Sequence, residues 1–300
     1  MALARNAARR AFSAAAAAFP APLHFAAPGG ARISAWHDIP LQERGADASV
    51  FNFVCAARAR TRHGRAIPLP HILTIFPLIP SRASCEIPRG ARAKMEIDTD
   101  APHNPIIQDK TKAGAPRSYG LDSLVNYGAL TQTYENPAHK DEWTGLLGDG
   151  DPVDVCEIGG GAPRATGSVY AVKVIGALAM VDDGEMDWKL LAVRADDALA
   201  AGAHCVTDPA APDAVKKAMD AVREWFRVYK TYEGKGENSF AFDGRWLDAA
   251  TARAIVASTH KQWRGIVDAR TGAQAKKAPW LPAVGAAWQP LATAKGVKSA

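Results

Sequence analysis

Cysteine is scarce. The 300-residue chain has four, Cys55, Cys85, Cys156 and Cys205. They form no C-x-x-C pair and no zinc-ligand spacing, so reduced thiols in an intracellular compartment are expected rather than a disulfide framework. Long apolar runs are missing too. None reaches the roughly 18 residues that a membrane helix needs, and no membrane partner is expected. The signals of three large enzyme classes are absent: G-x-S-x-G, H-E-x-x-H and the Walker A loop. Internal repeats are also lacking.

Acidic residues are missing from particular stretches. Residues 1–33 hold four Arg and no acid, and residues 56–85 hold five Arg and no acid. Residues 268–300 hold five Lys or Arg and one Asp. The whole chain has 36 basic and 31 acidic residues, a net +5; outside these three stretches 22 basic and 30 acidic residues remain, a net −8. The basic charge belongs to the extensions, and the body does not read as a nucleic-acid binder.

What the body does contain is a run of carboxylates in an apolar frame. Gly148-Asp149-Gly150-Asp151-Pro152-Val153-Asp154 puts three Asp at relative positions one, three and six. The glycines permit tight turns and Pro152 fixes one dihedral. Val153, Val155 and Ile158 read as the start of a buried strand. Carboxylates on a stiff, half-buried loop repel one another unless a cation sits among them, and hard oxygen ligands suit Mg²⁺ or Mn²⁺. A calcium EF-hand loop fails by position: its fifth place is Val153, its sixth is Asp154 rather than Gly, and its twelfth is Gly160 rather than Glu.

Other charged segments fall on strands. Val50–Val54 alternates. Lys94 and Glu96 are two apart and share a strand face, as do Asp187 and Lys189. Glu86 joins the face of Lys94 and Glu96 if the turn between them folds back. Val169–Val181 reads as a buried strand or strand pair, and an acidic turn at Asp182-Asp183-Gly184-Glu185 leads into the next. Residues 213–230 have the apolar spacing of a helix. A second helix, about 249–264, should be capped by Asp248 and closed near Gly265. His37 reads as structural rather than as a ligand.

Taken together, Glu86-Ile87-Pro88-Arg89, Ala93-Lys94-Met95-Glu96-Ile97, Asn126-Tyr127-Gly128, the Asp149–Asp154 loop, Asp182–Lys189 and Trp225-Phe226-Arg227-Val228-Tyr229-Lys230 resemble the family I soluble inorganic pyrophosphatases in their eukaryotic form. The resemblance covers about 33–55 and 86–267. It implies a mainly β (α+β) domain: a closed, five-stranded, OB-like β-barrel with flanking helices. The implied reaction is Mg²⁺-dependent hydrolysis of pyrophosphate to two phosphates by metal-activated water, with Mn²⁺ as a substitute. Asp149, Asp151, Asp154 and Asp187 would hold the activating metals, and Asp151 would also take the proton of the attacking water. Asp182, with Glu96 or Glu86, would serve further Mg²⁺ ions. Lys94, Arg117, Tyr127, Lys189, Tyr229 and Lys230 would grip the phosphates. Eukaryotic members are commonly homodimers. The family usually has a tyrosine four residues before the Tyr of N-Y-G; Ser123 stands there, and Tyr119 is the nearest substitute.

Three stretches fall outside the resemblance. Residues 1–32, rich in Ala and Arg and poor in acid, have the composition of a transit peptide for the chloroplast stroma or the mitochondrial matrix. Without such import the location would be cytoplasmic. Residues 268–300 read as a flexible tail. Residues 56–85 interrupt what would otherwise be one strand, FNFVC followed by EIPRG. Four prolines in the apolar run Ile67–Pro80 oppose both helix and central strand. The segment reads as a translated intron or gene-model error, with a lineage-specific loop as the other reading. That insert and Ser123 also motivate a rival function, a catalytically impaired scaffold or binding protein.

Overall fold

The computed structural model describes residues 19–43, 45–55, 86–268, 279–282 and 291–299. Most of the expected transit peptide and the whole of segment 56–85 lie outside the described residues. Strands come first: β1 (Phe25–Ala26), β2 (Arg32–Ile33), β3 (Val50–Cys55), β4 (Met95–Ile97), β5 (Ile106–Gln108), β6 (Asn126–Leu130), β7 (Asp154–Glu157), β8 (Val169–Asp182) and β9 (Glu185–Arg194). Helix α1 (Asp213–Val228), β10 (Ser239–Phe240), α2 (Ala249–Asp268) and β11 (Lys298–Ser299) follow.

Five strands close on themselves. β8 pairs with β3, β3 with β6, β6 with β7, β7 with β9, and β9 with β8 again. Only β7 and β9 run parallel within this ring. β10 attaches beside the far end of β8, with Phe240 opposite Met180. Closure needs a strongly bent strand, and β8 supplies it. Its register against β9 shifts between Val174 and Gly176, a bulge that bends and twists the strand. Gly176 is required there because an added Cβ would run into Val206 and the Leu247 carbonyl. The turn from β8 to β9 is two residues, Asp183 and Gly184, both at positive φ (49° and 92°), the geometry of a tight hairpin.

Period-2 alternation then separates core from site. Met186, Trp188, Leu190 and Ala192 of β9 enter an apolar cluster fed by all five ring strands. Asp187 and Lys189, between them, must point to the opposite side. Helix α1 covers that side with Val215, Val222, Trp225 and Phe226. Its end delivers Tyr229 and Lys230 next to the tip of β8, where Lys230 pairs with Asp182. α2 is capped by Asp248, the residue before it, whose Oδ1 accepts the Thr251 N–H at 2.7 Å.

Glu86 and Ile87 continue the ladder that β3 leaves. Cys55 lies opposite Gly128 and Ile87 opposite Tyr127. The N–H groups of Glu86 and Ile87 both donate to the Tyr127 carbonyl. A Cβ on Gly128 would overlap the Val54 carbonyl and the Glu86 nitrogen.

Several boundaries differ from the sequence reading. Ordered structure begins before residue 33: β1 pairs with both β2 and β11, and Leu23 bridges Ile106. The described parts of the C-terminal stretch lie on the body instead of trailing from it, with Ala294 and Val297 buried beside Phe25 and Trp36. Such pairings join chain ends more than 250 residues apart, and local composition carries no trace of them. α2 also runs past Gly265 to Asp268. There Trp263 and Val267 are buried, and their packing outweighs the roughly 1 kcal/mol helix penalty of one glycine. His37 is structural: it accepts the Trp263 indole N–H at Nδ1, 2.8 Å, and its Nε2 lies 3.0 Å from the Trp280 carbonyl.

Candidate active site

The acidic loop is strapped to the strand that follows N-Y-G. Leu130 N–H donates to the Val153 carbonyl at 2.9 Å, Glu135 N–H to Asp151 O at 2.9 Å and Gly150 N–H to Glu135 O at 2.8 Å. Val153 N–H donates to Thr133 Oγ1 at 3.0 Å. Gly150 needs its glycine for a φ of 94°. Asp149 Oδ1 accepts the Asp151 N–H at 3.0 Å, an Asx turn that fixes the two carboxylates relative to each other. The rigid loop expected from Gly, Pro and Asp thus owes its stiffness to a second chain segment.

A cavity of about 120 Å³ opens beside this loop. All thirteen residues singled out in the sequence line it: Glu86, Lys94, Glu96, Arg117, Tyr127, Asp149, Asp151, Asp154, Asp182, Asp187, Lys189, Tyr229 and Lys230. They come from β4, β6, β7, the β8–β9 hairpin, the end of α1 and the loops between. Lysines interleave with acids. Lys189, 2 % exposed, pairs with Asp154 and Asp187, and its ammonium also donates to the Tyr127 hydroxyl at 3.0 Å. Tyr127 in turn donates to Asp154. Lys94 pairs with Glu96, and with Asp109 at 3.0 Å. Arg117 is held between Asp109 at 2.8 Å and Glu233 at 2.9 Å.

Burial of so many carboxylates raises their affinity for protons. Asp187 is pushed up to about 7, mainly by its burial, against the opposing pull of Lys189. Asp149, Glu86 and Glu135 are pushed well above the ordinary carboxylate range, again mainly by burial and then by neighbouring acids. Asp151 presents a contrast. Its surface is exposed to water, yet it sits in a concavity crowded by protein and by Glu96, and it is held up to about 7. Water reaching Asp151 screens part of that effect, so the enclosed Asp187 and Glu135 carry the argument.

Three residues at the site, Asp109, Glu233 and Glu135, were not assigned from sequence, and a fourth, Tyr119, was named there only as a substitute for the tyrosine missing at Ser123. Asp109 and Glu233 orient Lys94 and Arg117. Tyr119 lines the cavity from the connection that the sequence shortens. Glu135 is the most informative. One oxygen each of Glu135, Asp149 and Asp187 lie within 4.8 Å of one another. Glu135 Oε1 accepts the Trp188 N–H at 2.9 Å, while Oε2 is buried with no hydrogen-bond partner among the described residues. No local motif marks Glu135; it reaches the site only because 130–136 pairs with the acidic loop. An orphaned buried carboxylate oxygen beside two further carboxylates fits a divalent cation, since oxygen-only, anionic donor sets suit hard metals. The donor set is that of a site for a divalent metal cofactor.

Comparison with known proteins agrees with this chemistry. The family model described as inorganic pyrophosphatase matches residues 83–264. The human inorganic pyrophosphatase is 38% identical over 250 residues, covering 81% of this chain and 73% of the relative. Soluble inorganic pyrophosphatase 1, chloroplastic, of Chlamydomonas reinhardtii is 44% identical over 193 residues, covering 64% of this chain and 66% of the relative. The solved structure of the inorganic pyrophosphatase from Schistosoma japonicum superposes with a TM-score of 0.66 at 34% identity, covering 81% of this chain and 75% of that one. With the closed five-stranded ring and the acid-and-lysine cleft already in place, the chain belongs to the eukaryotic family I soluble inorganic pyrophosphatases, hydrolases that split pyrophosphate into two phosphates.

Proposed function

We propose that the metal is Mg²⁺, with Mn²⁺ as a substitute, and that the cleft residues divide into three roles. Asp149, Asp151, Asp154 and Asp187 would hold the activating ions, with Glu135 completing the set. Asp182, Glu96 and Glu86 would serve ions that enter with the substrate. When bound, these ions neutralise phosphate oxygens and make water a stronger acid. Lys94, Arg117, Tyr127, Lys189, Tyr229 and Lys230 bind and orient the two phosphates. Arg117 can meet phosphate oxygens with a fork of donors, and the lysines act as point charges. Asp151 is the base that removes a proton from the attacking water. It is the one Asp of the loop that stands open to solvent, where water arrives.

The single observation that carries this reading is the convergence of all thirteen residues, from segments spanning 86–230, on one cavity. Phosphate release from pyrophosphate should depend on Mg²⁺ and vanish in EDTA. Asp151→Asn should keep the fold and slow the reaction on the order of 10²–10⁴-fold. A variant near parental rate would remove Asp151 from the role of base.

The extensions carry a proposal of their own. Residues ahead of the folded body serve as an organelle-targeting segment, for the chloroplast stroma or the mitochondrial matrix. The Ala- and Arg-rich, acid-free composition supports it, as does the similarity to a relative named chloroplastic.

A further inference from the structure

We propose that Tyr119 is a substrate-binding residue whose phenol donates a hydrogen bond to a pyrophosphate oxygen. This rests on the cleft being the pyrophosphate site, as above. The backbone around Tyr119 runs antiparallel to 92–94: Lys94 N–H donates to Arg117 O at 3.0 Å, and Tyr119 N–H to Arg92 O at 2.7 Å, with Ser118 bridging Ala93. Residues 117 and 119 therefore share a face with Lys94. Arg117, Lys94 and Tyr119 all line the cavity.

The ring is fixed. It is 5 % exposed and packs edge-on against Trp225 (centroids 5.0 Å, 88°) and Tyr229 (5.3 Å, 84°). The hydroxyl is not fixed. Among the described residues no group hydrogen-bonds to it, although a buried tyrosine normally finds a partner. It is not sealed in either, and the charges that act on it, Lys94, Lys189, Arg117 and Asp154, all line the cavity that Tyr119 also lines. Tyr127, by contrast, is committed to Asp154 and Lys189. Burial keeps the Tyr119 phenol protonated well above neutral pH, so it is a donor with no acceptor of its own, set near Lys94, Lys189 and Arg117. A phosphate oxygen bound by those cations is the acceptor the geometry lacks. Ser123 cannot supply this donor: it is buried, and its Oγ donates to the Val125 carbonyl at 2.8 Å, away from the cavity.

Tyr119→Phe removes one oxygen and leaves the ring packing intact. The probe is imidodiphosphate with Mg²⁺, read by calorimetry, alongside KM and kcat for pyrophosphate and a thermal unfolding curve. A lost hydrogen bond to a charged group predicts binding about 10- to 100-fold weaker, with unchanged unfolding. Ser123→Ala should leave the affinity at the parental value. Parental affinity and KM in Tyr119→Phe would overturn the proposal while the parent still binds and hydrolyses. A parent that does neither would overturn the reading of the cleft, and the proposal with it.

Discussion

Glu135 shows how much one buried oxygen can specify. Its carboxylate is 3 % exposed and satisfies only one of its two oxygens within the described residues. Leaving such a group unmatched costs about 1–3 kcal/mol, more when it is charged, so its retention beside Asp149 and Asp187 needs a compensating cation or proton. Glu135→Gln keeps the oxygen that accepts from Trp188 and removes the charge. Mg²⁺ affinity, measured by the metal-dependent rise in melting temperature, should fall about 10- to 100-fold, the range for losing a group that supports a metal site. An unchanged metal titration would show that Glu135 serves only to hold the Trp188 backbone.

At the level of elements, the join between β3 and Glu86 decides the status of segment 56–85. The ladder against β6 passes from Cys55 to Ile87 on consecutive residues of the partner strand, Gly128 then Tyr127. From that continuity we propose that the barrel forms without residues 56–85. Loop closure grows only by about 0.6 kcal/mol per doubling of length, so its removal should change stability little through entropy. A chain with 56–85 deleted should fold with an equal or higher melting temperature and retain pyrophosphatase activity. Loss of the cooperative transition in the deleted chain would mean that the segment contributes to the body. Activity confined to the deleted chain would identify the segment as a translated intron or gene-model error.

For the whole molecule, the buried acids set an unusual response to pH. Asp149, Asp187, Glu86 and Glu135 bind protons more tightly in the folded protein than an ordinary carboxylate does. Unfolded carboxylates titrate near about 4. Between about 4 and the raised folded values the native state holds the extra protons, so the metal-free protein should lose stability as pH rises from about 5 to 7. Asp109 and Asp248 are shifted the other way, Asp248 by its cap hydrogen bonds, and Asp109 by Lys94 and Arg117 in spite of burial. Their contribution is present above about 4 and fades only below it, outside that window; His24 and His260, held below the ordinary imidazole value mainly by burial, oppose the trend within it, but both are less enclosed than the four acids. In EDTA the melting temperature should therefore be lower at pH 7.5 than at pH 5.5. Mg²⁺ should reverse the order, and its binding near pH 6 should release protons measurable in a pH-stat. A melting temperature that rises with pH in EDTA would contradict the burial of these charges.

The local chemistry of the site was legible in the chain itself. D-x-D-P-x-D, the K-x-E and D-x-K pairs and the helix ending in Tyr229-Lys230 each carry their meaning within a few residues, because strand alternation and helix periodicity fix which side chains share a face. The β-branched runs likewise announced the long strands. Glu135, Asp109 and Tyr119 were different. Each reaches the cleft through a pairing between segments: 130–136 with the acidic loop, Lys94 with Asp109, and 117–119 with 92–94. The same holds for β1 against β11, and for a helix that continues through Gly265 because Trp263 and Val267 are buried beyond the ring. Local sequence encodes turn chemistry and periodicity; which oxygen is left buried without a partner is decided only when distant strands close on one another, since burial is a property of the packed whole.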